Sequence, residues 1–205
     1  MKPLALLTPL ALLLLPFTAA GAEKVAAKGQ VVAVAPGAIL MTSDAGKQIQ
    51  IKIPEGQSVV TVKGQLLPTQ LQPGMLVRFT AAFEGTRATE PVSQMTVYSP
   101  ADGFVPSVDG DPSSPVLVTA VFNKLEKNGT LTMTVNRKKI TAEPAEGINI
   151  QLETGDYRLV KAGDHIVLDG RQADAKSPVV GRKVEITITN PELEAQAASG
   201  EGEKP

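Results

Sequence analysis

The chain has no cysteine, no tryptophan and one histidine, and aromatic residues make up only 3% of it. Without cysteine there are no disulfides, thiolate metal sites, cysteine nucleophiles or lipids carried on a thiol. Basic residues are not in excess: the net charge is −1. A nucleic-acid binder needs Lys and Arg to neutralise phosphates, so no nucleic-acid partner is expected. Few aromatics leave a core built mostly of Val, Ile, Leu and Ala. Apolar content of 42% over 205 residues suffices for one large or two small domains.

Only one long apolar run exists, at the start. Lys2 supplies a positive n-region, Leu4 to Leu15 an apolar stretch, and Ala20-Gly21-Ala22 small residues before a cleavage point. This pattern predicts a signal peptide over 1–22, with the mature chain starting at Glu23 and exported to the periplasm or outside the cell. The run is shorter than the roughly 20 residues a spanning helix needs, and Pro9 interrupts it. No membrane span is expected once the leader is gone. The mature chain must then hold its fold without disulfide staples.

The most informative pattern is a repeated turn. Leu71-Gln72-Pro73-Gly74 leads into Met75-Leu76-Val77-Arg78-Phe79, and Val160-Lys161-Ala162-Gly163 leads into Asp164-His165-Ile166-Val167-Leu168. The two glycines lie 89 residues apart, at 74 and 163. A Gly between an apolar anchor and a strand marks a tight turn with φ > 0. Behind it Leu76, Arg78 and Thr80 alternate with Val77, Phe79 and Ala81, a strand with one buried face. Similar alternation at Ile49, Ile51 and Ile53 and at Ile148, Ile150 and Leu152 predicts further strands. Lys127-Asn128-Gly129 predicts a hairpin, and Pro68 to Gln72 a single helical turn.

The reading is all-β: a first β-domain at 25–100, a Pro- and Gly-rich linker at 101–115, a second β-domain at 116–190, and a disordered tail at 191–205 with a short helix possible after Pro191. Each half offers five or six short strands and one helical turn before a Gly-led strand. That arrangement resembles the OB fold, in the form of small exported bacterial OB-like β-barrel domains of unknown function, here in tandem copies. Gln30 to Tyr98, with Gly37, Gly46-Lys47, Gly64 and Leu71-x-x-Gly74, carries the resemblance best; the second copy is looser. The resemblance implies no catalytic residues and licenses no function.

Candidate chemistry is sparse. His165 follows Asp164, a pairing able to tune a proton shuttle, but it occupies the strand-start position that Leu76 holds in the first copy. Asp102, Asp109 and Asp111 lie in the linker, and Asp109-Gly110-Asp111 matches only part of a calcium loop. Arg137-Lys138-Lys139 is the densest basic cluster, with no aromatics nearby in sequence. Asn128-Gly129-Thr130 fits a glycosylation sequon as well as a hairpin turn. No residue is nominated as catalytic, cofactor-binding or metal-binding, no cofactor is expected, and the chain is not expected to be an enzyme. The expectation is an exported, non-catalytic binding or structural module at the cell envelope with a protein or glycan partner. Oligosaccharide or nucleic-acid binding in an OB-type groove, and hydrolysis at an interdomain site, are the alternatives.

Overall fold

The computed structural model describes residues 22–100, 104–111 and 113–193. All of the predicted leader but Ala22, Asp102 in the predicted linker and the predicted tail beyond Leu193 lie outside the described residues. The strands are β1 (Glu23–Ala35), β2 (Ala38–Ser43), β3 (Gln48–Lys52), β4 (Val59–Leu66), β5 (Leu76–Ala81), β6 (Phe83–Glu84), β7 (Arg87–Ala88), β8 (Val92–Tyr98) and β9 (Val108–Asp109). They continue with β10 (Val116–Leu125), β11 (Leu131–Val135), β12 (Lys138–Ala142), β13 (Pro144–Thr154), β14 (His165–Gln172) and β15 (Val179–Thr187). Single 3-10 turns, Pro68–Gln70 and Tyr157–Leu159, precede the two Gly turns.

Strand order runs β1-β2-β3-β15-β14 and returns to β1, a closed five-stranded barrel. All its pairings are antiparallel except the parallel contact of β3 with β15 at Val179↔Ile51 and Val180↔Lys52. Closure removes the exposed edges that would otherwise template aggregation. Ile39, Met41, Ile51, Ile166, Leu168, Val184 and Ile186 fill the interior and are almost fully buried. Each comes from the inward phase of an alternating strand, so the period-2 pattern specifies the face.

The barrel joins distant parts of the chain, because β1–β3 close against β14 and β15 from the far end. The outer strands continue through β4 and β13, which pair antiparallel, to the order β8-β5-β10-β11-β12. There β5 and β8 lie against β10 and β13. Thus 25–100 and 116–190 each contribute strands on both sides of the β4–β13 ladder.

The two sides correspond residue by residue. Leu76↔Tyr98 and Val77↔Val97 recur 89 residues on, as His165↔Thr187 and Ile166↔Ile186. Gly74 N–H donates to the Phe122 carbonyl at 2.8 Å, and Gly163 N–H to the Val31 carbonyl at 2.9 Å. Register shifts follow Val31 and Phe122, so even the bulges match. Lys63 pairs with Glu153 across the β4–β13 ladder, and the two side chains form an ion pair at 3.5 Å. Gly64 beside it sits in tight quarters: a Cβ there would lie 3.1 Å from Ile188 Cβ and 3.2 Å from its carbonyl oxygen.

Several boundaries differ from expectation. The linker 101–115 is not wholly structureless: β9 adds to β10 at Val108↔Val118 and Asp109↔Leu117. Pro106 and Pro112 flank so short a strand that no sequence period can reveal it. The loop after β5 carries the small β6–β7 hairpin, and β13 starts earlier than Ile148, at Pro144. β1 extends back to Glu23 because β14 pairs with it throughout. Among the described residues no helix is long and apolar enough to cross a membrane.

Candidate binding groove

The two sides differ in one place. β14 and β15 stay paired over seven residue pairs. Their counterparts β5 and β8 pair only at Leu76↔Tyr98, Val77↔Val97 and Arg78↔Thr96 and then separate. Between the two strands in sequence stand the β6–β7 hairpin and, just before β8, Pro91, which has no N–H to give a ladder. An open groove of about 680 Å³ occupies the split, lined by Arg78, Thr80, Ser93, Gln94, Thr96 and Leu117, among others. Arg78, Thr80, Ser93 and Gln94 are exposed on its walls.

Tyr98 lies outside this lining, on the far side of Arg78. The Arg78 guanidinium carbon lies 4.4 Å from the Tyr98 ring centroid, a cation–π contact. Phe104, 36% exposed, meets the same ring edge-on, with centroids 5.9 Å apart and planes at 81°. The Tyr98 hydroxyl is buried and has no hydrogen-bond partner among the described residues. The segment after β8 crosses the outer face here and exchanges two backbone hydrogen bonds between Ser107 and Thr119, at 2.8 and 3.1 Å. It leaves Thr119 only 3% exposed. The groove thus offers hydroxyl and amide groups on its walls, with one guanidinium, Arg78, and one carboxylate, Glu90.

The residues singled out in the sequence do not converge here. Asp164 is 3% exposed, while His165 beside it is exposed. The Asp164 carboxylate accepts backbone N–H groups from Lys161 at 2.7 Å and Thr189 at 2.9 Å, which ties the Gly163 turn to the end of the last strand. Asp164→Ala strands both donors and is expected to cost roughly 2–3 kcal/mol in urea denaturation. Asp164→Asn, which keeps one acceptor, should cost less. A groove of about 740 Å³ beside this turn contains Gln70, Arg158, Lys161, Asp164 and Asn190. Its polar groups are largely engaged: Asn190 donates to Gln70 Oε1 at 2.9 Å, and Arg158 pairs with Asp156. The Arg158 side chain holds the Asp156 carboxyl below the usual carboxylate range.

Asp109 accepts from the Ser107 hydroxyl at 2.9 Å and Asp111 from the Ser113 backbone at 3.0 Å. Among the described residues no three His, Cys, Asp or Glu gather as a metal set. Arg137 is a turn residue at φ 66°, and Lys138 and Lys139 are exposed on β12. Asn128 Oδ1 accepts from Thr130 N–H at 3.2 Å, as the hairpin reading requires. Sequence reasoning missed Gln94 and Thr96 as groove residues because a strand pattern says which face a residue takes, not whether its neighbour stays paired.

No protein-family model, no curated protein and no solved structure matches the chain.

Proposed function

We propose that this is an exported, non-catalytic binding module of the cell envelope, built from two OB-like repeats, whose groove between β5 and β8 takes an oligosaccharide. The strand order β1-β2-β3-β15-β14, with β3 and β15 parallel, supports the OB-like assignment. The matching pairs at an offset of 89 residues, 76 to 165 and 98 to 187, support two repeats. The leader pattern of Lys2, an apolar run and Ala20-Gly21-Ala22 supports export.

The observation that carries the ligand class is the groove wall. Thr80, Ser93, Gln94 and Thr96 are uncharged donors and acceptors, flanked by one cation, Arg78, which stacks on Tyr98, and one carboxylate, Glu90. Hydroxyl-rich neutral ligands match such a wall, whereas a phosphate polymer needs a run of cations. The test is an amide-resolved NMR titration of the mature protein with N-acetylglucosamine and glucose oligomers. Shifts are expected at Arg78, Thr80, Gln94 and Thr96. Gln94→Ala should weaken binding by about tenfold, as loss of a bidentate polar contact does. Gln50→Ala, at a similarly exposed residue on β3, should leave it unchanged. No groove shifts with either series, or equal loss in both variants, would overturn the reading.

A further inference from the structure

A second cavity adjoins the groove between β5 and β8. It holds about 350 Å³ and is walled by Glu84, Arg87 and Glu143. Thr89, Glu90 and Pro91 line both cavities and form the saddle between them. The saddle is held by backbone bonds. Thr89 N–H donates to the Ala82 carbonyl at 2.9 Å and closes the β6–β7 hairpin at its base. Thr141 N–H donates to the Thr86 carbonyl at 2.9 Å and fixes the hairpin to β12, and Val92 N–H donates to the Glu143 carbonyl at 2.8 Å. The shape of the second cavity therefore does not depend on the side chains that wall it. At the matching place on the barrel a shorter loop joins β14 to β15, and the space between it and β3 is only about 180 Å³.

The chemistry of the second cavity centres on Arg87. Arg87 stands opposite Glu84 across the hairpin, and its guanidinium pairs with the Glu143 carboxylate. The two paired side chains remain 70% and 53% exposed, so unused N–H donors lie beside unused acceptor lone pairs. A metal ion is not the occupant these groups suit: Glu84, Glu90 and Glu143 do not gather as a ligand set. Donors and acceptors side by side match neighbouring hydroxyl groups on one sugar ring, each of which both gives and takes a hydrogen bond.

We infer, resting on the oligosaccharide reading of the first groove, that the second cavity is a further subsite for the same ligand. An uncharged chain long enough to cross Thr89–Pro91 places one ring against Arg87 and Glu143. A disaccharide is small enough to be held by the first groove of about 680 Å³ alone. The site thus selects for chain length, and the β6–β7 hairpin is the element that confers the selection.

The test is an NMR titration of the chain from Glu23 onward with the dimer and the hexamer of glucose and of N-acetylglucosamine. Both lengths should shift the amides of Thr80, Gln94 and Thr96. The hexamer alone should also shift Arg87, Thr89 and Glu143, and should bind about tenfold more tightly. A hexamer also gains from the number of registers in which it can sit, so a variant decides the cause. Arg87→Ala removes an exposed ion pair, which contributes little to stability, and leaves the backbone bonds of the saddle in place. It is expected to bring the hexamer to within about twofold of the dimer. Equal affinity for the two lengths, or a tenfold preference that survives Arg87→Ala, overturns the second subsite and leaves the assignment of the first groove standing. No shift at Thr80, Gln94 or Thr96 with either length overturns both.

Discussion

Cut between Asp102 and Gly103, the folded chain from Glu23 onward is expected to stay in one piece. A protease recognition sequence placed at 101–103 lets the full-length chain fold first and be nicked afterwards. Seven pairings then run between the two fragments: β1–β14, β3–β15, β4–β15, β4–β13, β8–β13, β5–β10 and the single bridge of β7 with β12. The N-terminal fragment by itself keeps only β1–β2, β2–β3, β5–β8 and β6–β7. Separation would expose Val62, Ile150, Leu152 and the barrel lining, all now almost fully buried. At about 25 cal/mol per Å² of apolar surface, burial on that scale holds fragments together well below micromolar concentration. Size-exclusion chromatography should give one peak near the intact mass, splitting only in denaturant. Two peaks of about half the mass in native buffer would mean that each half closes on itself.

Substituting the two turn glycines has an equally directional outcome. Gly74 and Gly163 sit at φ 91° and 96°, and a Cβ on either would touch nothing within 4 Å. The penalty for Val is therefore backbone strain rather than crowding, about 1–2 kcal/mol at each site. What matters is where the loss appears. Gly163 N–H bonds to Val31, so Gly163→Val should loosen the barrel that holds β1–β3, more than 100 residues upstream. Gly74 N–H bonds to Phe122, so Gly74→Val should loosen β10 and β11, downstream of it. Hydrogen exchange of residues 29–51 and 116–135 separates the two. If each substitution loosens only its own half of the sequence, or neither loosens anything, the correspondence between the turns has no energetic meaning.

Much of the fold was legible in the sequence. Alternation gave β3 and β5 nearly to the residue, because a half-buried strand has only one way to orient its apolar set. The Gly turns and the Lys127-Asn128-Gly129 hairpin were readable because each needs a backbone conformation that few other residues adopt. Partner choice was not. Leu76 and His165 start equivalent strands, and either could pair with β1 or β10 without changing any local pattern. The decision rests on β4 and β13, where Gly64 admits Ile188 and Lys63 meets Glu153. Those are contacts across about 90 to 125 residues, with no local trace. The groove was hidden for a related reason: Arg78, Gln94 and Thr96 read as ordinary outward positions until β5 and β8 are seen to part.

The closure of β1 against β14 also sets an order of events. β1–β3 are complete by Lys52, but the strands that seal them, β14 and β15, begin at His165. At synthesis rates of about 5–20 residues per second, Ile39, Met41 and Ile51 wait on the order of 5–20 s for their lining partners. Meanwhile β5 to β12 is one continuous run, Leu76 to Ala142, and has every strand it needs for its own side of the sheet. The first strands made are thus among the last to be buried, and the last strand made completes the barrel. A chain released before Thr187 carries an open, apolar, three-stranded sheet at its leading end, so the risk of aggregation is concentrated in the final stretch of its synthesis.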